Sequence, residues 1–346
     1  MNRAVVHRAS AGIATYMKAR GLSKVVIGRD ARYGSEDFTD ESAQVFAGAG
    51  MDVYVLPRPL PTPVLAYAVN YLKADVGVMV TASHNPPQDN GYKVYLGGTV
   101  DGIRYAGSQI VPPADVEIAA DIAKINSIQP REKKWTVLND DVFNAYVKQT
   151  GGLARSNDAL KVVYSAMHGV GTETLVATFA AAGFEAPILV TEQADPDPDF
   201  PTVQFPNPEE PGAIDLSLAL AARVNADIVI ANDPDADRCA AAIYDPKVGW
   251  RMLSGDEIGA ILGHYIATRF RSSCDNQAFG NSIVSSSILG KIAKKHGIEF
   301  HETLTGFKWL AKIPNLRFGY EEAIGYAVDA KSVNDKDGIS AALMLR

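Results

Sequence analysis

A serine and a lysine lie on either side of a proline-stiffened loop that follows an apolar run. The run is "DVGVMV" at 75–80, the loop continues as "TASHNPPQDNGYK", and the two residues are Ser83 and Lys93. Such a serine can act as a nucleophile, or it can hydrogen-bond the backbone of its own loop. A hydrolase triad is excluded, because Ser83 lacks the G-x-S-x-G frame and His84, its immediate neighbour, is badly placed to act as the base. Lys93 could balance the charge of a phosphate or exchange a proton.

Three aspartates at alternate positions follow a second apolar run, "ADIVIAN" at 226–232, and an arginine, Arg238, comes next. Like charges held together are costly unless a cation neutralises them, and oxygen ligands suit Mg²⁺. An EF-hand is excluded, because its sixth position must be glycine and is Arg238 here. The sequence therefore predicts a magnesium site, with a solvated acidic turn as the alternative, at Asp233, Asp235 and Asp237.

Two other acidic stretches have different surroundings. A second D-x-D-x-D pattern falls in the proline-rich segment 194–212, which cannot curl tightly around an ion and is expected to be a structural, solvent-facing loop. The stretch "RFGYEEAIGYAVD" at 317–329 holds Glu321 and Glu322 between two glycines. These carboxylates could accept hydrogen bonds from sugar hydroxyls, or they could belong to the acid-rich first turn of a helix.

Composition narrows the class of protein. The chain has 346 residues, 47% of them hydrophobic, and a net charge of -7, without the basic stripe of a nucleic-acid binder. Two cysteines favour a reducing, cytoplasmic setting without a disulfide framework. No apolar run is long enough to cross a membrane, and the first residues do not resemble a signal peptide.

Short apolar runs alternate with helical patterns along the chain, which is typical of α/β folds with largely parallel sheets. We expect three α/β units, at 1–150, 151–250 and 251–346. A polar linker is predicted at 148–158, around a pair of glycines.

Taken together, these motifs resemble the α-D-phosphohexomutase family of phosphoglucomutases and phosphomannomutases. "TASHNPPQDNGYK" is similar to the family's phosphoserine loop, "DPDADR" to its magnesium loop and "GYEEAIG" to its sugar-binding loop, in the family's order. The resemblance implies three similar doubly wound mixed-sheet α/β domains around a central cleft: a phosphoserine-loop domain at 1–150, a metal-binding domain at 151–250 and a sugar-binding domain at 251–346, the last incomplete at its end. The family's early G-T-A-G-L-R segment and its fourth, α+β domain are expected to be missing from this chain, which would then bind metal but turn over poorly.

The resemblance also implies a reaction. A phosphoryl group on Ser83 would pass to a sugar phosphate and return through a bisphosphorylated sugar, interconverting 1-phospho and 6-phospho hexose, glucose or mannose. Mg²⁺ would lie between Ser83 and the three aspartates. Lys93 would accept and donate the proton, His84 and Arg238 would neutralise phosphate charge, and the segment "IGRDAR" at 27–32 would shape the same cleft. Substrate contacts are expected from Arg238, Lys308, Glu321 and Glu322.

The sugar-binding loop departs from the commonest family pattern. Ile324 and Tyr326 stand where many members have serine and histidine, which resembles a subgroup that includes phosphopentomutases. The alternatives are therefore a phosphopentomutase, a Mg²⁺-dependent phosphatase that uses water as acceptor, and a non-catalytic sugar-phosphate binding protein. The expected partners are a sugar phosphate and a sugar bisphosphate activator, with no nucleic acid and no membrane. The sequence predicts no oligomeric state.

Overall fold

The computed structural model describes residues 1–153, 159–269 and 277–346, which form three α/β units. Part of the predicted linker, 154–158, lies outside these residues. The three main sheets fall within the expected segments 1–150, 151–250 and 251–346. The one exception is a strand of the second sheet, Gly249–Met252, which crosses the boundary at 250. The boundaries themselves stay a prediction.

The first unit is built on a six-stranded sheet with strand order β7-β4-β3-β1-β2-β8 and a separate β5-β6 pair. Its strands are β1 (Lys24–Arg29), β2 (Asp52–Val55), β3 (Val76–Val80), β4 (Tyr92–Leu96), β5 (Thr99–Val100), β6 (Ile103–Arg104), β7 (Ser108–Gln109) and β8 (Thr136–Val137). Its helices are α1 (Arg3–Ala19), α2 (Ser35–Gly48), α3 (Thr62–Tyr71), α4 (Ala114–Lys124) and α5 (Asp141–Gly151).

The second unit has a five-stranded sheet with order β10-β9-β11-β12-β13. Its strands are β9 (Val162–Ser165), β10 (Ile188–Leu189), β11 (Ile228–Asn232), β12 (Cys239–Asp245) and β13 (Gly249–Met252), and its helices are α6 (Gly171–Ala181) and α7 (Asp215–Val224). Every residue of β11 is buried, as is every residue of β3 in the first unit, which agrees with their continuous apolar sequences.

The third unit has a four-stranded sheet with order β15-β14-β16-β17. Its strands are β14 (Ala278–Ser282), β15 (Glu299–Thr303), β16 (Leu316–Glu321) and β17 (Gly325–Ala327). Its helices are α8 (Gly255–Arg269), α9 (Ile288–His296), α10 (Phe307–Leu310) and α11 (Gly338–Leu345). Ser254 and Glu257 cap α8 reciprocally, each side chain accepting from the other residue's backbone N–H.

The same four-strand arrangement recurs in all three sheets. Three neighbouring parallel strands are followed by an antiparallel one, in the orders β2-β1-β3-β4, β10-β9-β11-β12 and β15-β14-β16-β17. The loop that enters the antiparallel strand is the serine loop in the first unit, the aspartate loop in the second and the paired-glutamate loop in the third. Equivalent positions in three sheets therefore supply the three motifs.

The units pack closely on one another. One continuous apolar cluster includes Leu65 of the first unit, Phe179 of the second and Phe318 of the third. In the described part of the chain, no helix has the length and apolar character required to cross a membrane.

Candidate active site

Ser83 lies between β3 and β4 with its hydroxyl directed towards the second unit. Its φ is +51°, in the left-handed region that non-glycine residues seldom adopt. The backbone N–H of Ser83 donates to Thr81 Oγ1 at 3.0 Å, and the Ser83 hydroxyl donates to Asp233 Oδ2 at 2.7 Å. The hydroxyl thus bonds an aspartate of another unit rather than only its own loop. Arg32, the last residue of the segment "IGRDAR", donates to the backbone carbonyls of Ser83 and Asn85 in this loop.

The aspartate loop is buried where the first and second units meet. Each of its three carboxylates is at most 1% exposed, and one oxygen from each lies within 4.8 Å of the others: Asp233, Asp235 and Asp237. Thr62, at the start of α3, donates its backbone N–H to Asp235 O at 2.9 Å. Such burial rules out the solvated acidic turn that was the alternative for this stretch.

The ionisation of the three carboxylates depends on the charges around them. Burial raises the pKa of Asp233 well above its usual value, and the neighbouring Asp235 and Asp237 raise it further. Burial acts in the same direction on Asp237, but there Lys336 and Lys93 outweigh it and hold the pKa below its usual value. Positive charge close to the loop therefore decides whether all three carboxylates ionise together.

The donor set fits a hard divalent cation. Within the described residues, Asp235 Oδ1 and Asp237 Oδ1 are buried and accept no hydrogen bond, so their lone pairs are available to an ion. Mg²⁺ takes oxygen ligands, commonly carboxylates together with phosphate oxygens. The three aspartates and the oxygen of Ser83 could hold such an ion between the two units.

Two lysines face the aspartates. Lys93 Nζ, on β4, donates to Asp235 Oδ2 and to Asp237 Oδ2, both at 2.7 Å. Burial opposes its charge, but the two aspartates prevail and raise the pKa of Lys93, so it is protonated and in the state of a proton donor. Lys336 Nζ lies 3.4 Å from Asp237 Oδ2. The sequence analysis missed Lys336, which belongs to the third unit and to none of the motifs considered.

His84 lies next to Ser83, and Arg238 lies next to Asp237. His84 Nδ1 is 3.2 Å from Ser83 Oγ. Burial first, and then the charge of Arg238, lower the pKa of His84 to about 4. With Ser83 unphosphorylated, His84 is therefore neutral at pH 7 and can offer a hydrogen bond to the serine oxygen. Arg238 carries charge: its Nε lies 4.0 Å from Asp237 Oδ1, and Nε is buried without a hydrogen-bond partner among the described residues.

Glu321 is the last residue of β16 and Glu322 follows it in the turn before β17, so the pair does not begin a helix and that alternative is excluded. Glu322 Oε2 accepts from Ser282 Oγ at 2.8 Å and from Ser285 Oγ at 3.1 Å. Glu321 Oε1 accepts the backbone N–H of Gly306 at 2.7 Å and joins this loop to the one before α10. Backbone contacts join the glutamate loop to the aspartate loop, because the N–H of Cys239 donates to the carbonyl of Ile324 at 3.0 Å.

Lys308, on α10, is directed to the first unit. Its Nζ lies 3.9 Å from Asp115 Oδ2 on α4, and it lies 5.5 Å from the ring centre of Trp309. The structure therefore gathers the serine, lysine, histidine, aspartates and arginine, places the two glutamates on the loop bonded to them, and gives Lys308 a carboxylate partner in the first unit. The roles expected of all these residues stay predictions.

To catalyse phosphoryl transfer, a protein mainly has to position the reacting groups and to place positive charge, usually including a hard cation, around an oxygen nucleophile. The surroundings of Ser83 meet that demand, so the fold and the site define a phosphotransferase assembled from α/β units. Models of the phosphoglucomutase/phosphomannomutase α/β/α domains I, II and III match residues 1–128, 142–246 and 254–346, and the chain belongs to this family.

The relatives carry the names of several mutases. The chain is 50% identical over 352 residues to the "Probable phosphomannomutase" of Haemophilus influenzae, covering 99% of this chain and 71% of that protein. It is 38% identical over 394 residues to the phosphoribomutase of Saccharomyces cerevisiae, covering 99% of this chain and 61% of that protein. The chain thus spans less than three quarters of either relative.

A solved structure shows the same fold. The phosphoglucomutase/phosphomannomutase family protein from Burkholderia thailandensis matches with a TM-score of 0.82 at 21% identity, over 100% of this chain and 72% of that one. The predicted family, the fold of three mixed α/β domains and the broad class, a phosphomutase, are therefore confirmed.

Proposed function

We propose that this chain carries the catalytic centre of a hexose-phosphate mutase that interconverts 1-phospho and 6-phospho sugars through phosphorylated Ser83 and a bisphosphorylated sugar. One contact carries the proposal: the Ser83 hydroxyl lies 2.7 Å from Asp233 Oδ2, beside two other buried aspartates. A serine that served only its own loop would not need acids of another unit around it.

The three aspartates and the oxygen of Ser83 would hold Mg²⁺, which would withdraw charge from the phosphoryl oxygens. Arg238 and Lys336 contribute positive charge on the other sides of the aspartates. His84 offers a hydrogen bond next to Ser83. Glu322, held by Ser282 and Ser285, is proposed to accept a hydrogen bond from a sugar hydroxyl.

The transfer balances without any further reactant. The oxygen of a sugar hydroxyl forms a bond to phosphorus while the bond from phosphorus to Ser83 Oγ breaks, the hydroxyl proton leaves, and Ser83 Oγ gains a proton. The reverse step takes the other phosphate from the bisphosphorylated sugar and restores the phosphoserine. Lys93 is proposed to exchange these protons; its protonated state here corresponds to the donor role.

A pentose phosphate is the second candidate substrate. The yeast relative is named a phosphoribomutase, and the human relative, 38% identical over 365 residues, is named a phosphopentomutase. Tyr326, at the position where many family members have histidine, is fully buried and offers no exposed surface for contact with a sugar. The choice of sugar is therefore proposed to depend on partly exposed side chains such as Glu322.

Phosphopeptide mapping tests the proposal directly. The full protein is incubated with glucose 1,6-bisphosphate and Mg²⁺, and its intact mass and phosphopeptides are measured. One phosphate on Ser83 is expected, and none in Ser83→Ala. A phosphate on any other residue, or none on the wild-type protein, contradicts the assignment.

Product analysis separates the alternatives. Glucose 1-phosphate, mannose 1-phosphate and ribose 1-phosphate are supplied in turn with a trace of the matching bisphosphate. A mutase gives the isomerised sugar phosphate, a phosphatase gives free phosphate, and a binding protein gives neither. The partners proposed are these sugar phosphates and bisphosphates. The proposed location is the reducing cytoplasm, consistent with the free, buried thiol of Cys239.

A further inference from the structure

The side chain of Arg32 serves as the donor for the backbone of the serine loop. It is 1% exposed and lies against the inner side of the loop. One terminal nitrogen, Nη2, donates to the carbonyls of Ser83 at 2.7 Å and Asn85 at 2.6 Å, and the other, Nη1, donates to the carbonyl of Pro86 at 2.8 Å. A planar guanidinium can serve several carbonyls at fixed angles, which the single ammonium of a lysine cannot.

Ser83 needs such support because of its backbone conformation. A left-handed φ of +51° is unfavourable for serine and persists only where the surroundings impose it. The bond from its N–H to Thr81 Oγ1 fixes the peptide before Ser83, and the bond from Arg32 to its carbonyl fixes the peptide after it. The two contacts together set the direction of the Ser83 side chain.

The guanidinium is itself held by the second unit. The ring of Phe200 lies 4.9 Å from the guanidinium carbon of Arg32, within the range of a cation–π contact. Phe200 is 2% exposed, and the hydroxyl of Tyr33 donates to the adjacent Asp199 at 2.9 Å. On the side of its own unit, Arg32 Nε lies 3.4 Å from Asp30 Oδ2. Arg32 is thus held between a carboxylate and an aromatic ring.

We propose that Arg32 and Phe200 are positioning residues for Ser83. Arg32 fixes the backbone of the serine loop, and Phe200 fixes the plane of the Arg32 guanidinium. The proline-rich segment 194–212 of the second unit therefore determines the direction of the Ser83 side chain in the first unit. This inference rests on the proposed function of Ser83 as the phosphoryl carrier. Neither residue touches the reacting atoms, and their effect is expected on the rate of transfer rather than on the binding of sugar.

The test uses Arg32→Lys and Phe200→Leu in the full protein. We measure the rate of Ser83 phosphorylation by glucose 1,6-bisphosphate, and then kcat and KM for isomerisation. Arg32→Lys is expected to slow both the phosphorylation and kcat about 100-fold, the scale of a small misplacement of a reacting group. Phe200→Leu keeps the apolar volume and is expected to slow them roughly 10-fold, since only the ring face is lost. KM should change little in both.

Two controls match the substitutions. Phe205→Leu changes a mostly exposed phenylalanine of the same segment, and Arg20→Lys changes an arginine that bonds Asp101 instead of the serine loop. Both should keep the wild-type rates. Unchanged rates in Arg32→Lys and Phe200→Leu, or losses explained wholly by a smaller folded fraction in thermal unfolding, would overturn the inference. A wild-type protein that gains no phosphate on Ser83 would instead overturn the proposed function.

Discussion

Thr62 and Asp235 are bonded to each other twice, although they belong to different units. The backbone N–H of Thr62 donates to the carbonyl of Asp235 at 2.9 Å, and the hydroxyl of Thr62 donates to its Oδ2 at 2.5 Å. The start of α3 thereby orients a carboxylate of the proposed metal site from outside the aspartate loop. Contacts of this kind fix the direction in which a ligand presents its lone pairs.

Thr62→Val should therefore weaken metal binding while leaving the fold intact. The variant keeps the shape of the side chain but loses the hydroxyl, and we expect about 10-fold lower affinity for Mn²⁺, measured by calorimetry with Mn²⁺ in place of Mg²⁺. Thr39→Val is the matched control, because the Thr39 hydroxyl is also buried but makes no hydrogen bond in the described part of the chain. Equal affinities in the two variants would contradict the role given to Thr62.

Adding Mg²⁺ should stabilise the protein through the three aspartates. An ion that binds only the folded state, present at about 100 times its dissociation constant, adds about 2.7 kcal/mol to the free energy of unfolding. Asp235→Asn removes one charged ligand and should lose most of the rise in Tm that Mg²⁺ causes in the wild type. Asp199→Asn, in the other D-x-D-x-D run, should keep the full rise. Thermal unfolding with and without Mg²⁺ provides the measurement.

Gly338→Ala should displace the aspartate loop, because Gly338 of the third unit packs against the end of that loop. A Cβ built on Gly338 would lie 2.2 Å from the carbonyl oxygen of Arg238, so either α11 or the loop must move. The expected cost is about 1–3 kcal/mol of the free energy of unfolding, together with weaker metal binding. At Gly152 the nearest atom to such a Cβ is 3.3 Å away, and Gly152→Ala should have a much smaller effect. Urea unfolding compares them, and equal costs would refute the steric argument.

Stability should fall with rising pH because of Asp337, which caps α11. Its carboxylate accepts from the Tyr146 hydroxyl at 2.8 Å, and burial raises the pKa of Asp337 to about 6. An acid whose pKa is higher in the folded state stabilises the fold fully below its unfolded pKa, near 4, and loses that contribution as pH rises through 6.

The loss amounts to about 3 kcal/mol, since a tenfold difference in acidity between the folded and unfolded states corresponds to about 1.4 kcal/mol. Asp337→Asn keeps an oxygen acceptor at the helix start but does not titrate, so its free energy of unfolding should change less between pH 4 and pH 7. Asp52→Asn, at an exposed aspartate, should follow the wild type. Identical pH profiles for wild type and Asp337→Asn would show that Asp337 does not carry the effect.

The sequence predicted the strands that end at the serine and aspartate loops, because β3 and β11 are buried along their whole length and read as continuous apolar runs. It also predicted the family, since three long motifs occur in the right order. The serine loop begins at Thr81, directly after β3, and includes Ser83. The aspartate loop begins at Asp233, directly after β11, and includes Asp235.

Sequence patterns did not predict the contacts between units. Lys336 and Thr62 meet the aspartates only after the three units pack together, and no periodicity marks them. The proline-rich segment 194–212 was expected to face solvent, but its Phe200 is buried and packs against Arg32 of the first unit. The lowered pKa of His84 could not be predicted from the sequence either, because the burial that causes it depends on that same packing.

Because one strand order recurs in three sheets, the three motif loops lie at equivalent positions of three separate units. The proposed nucleophile, the proposed ion ligands and the acids proposed to recognise hydroxyls each occupy the corresponding loop of a separate sheet. If the paired glutamates contact the sugar as proposed, a substitution in their loop would change the choice of sugar from a sheet that holds neither the proposed nucleophile nor the proposed ion ligands.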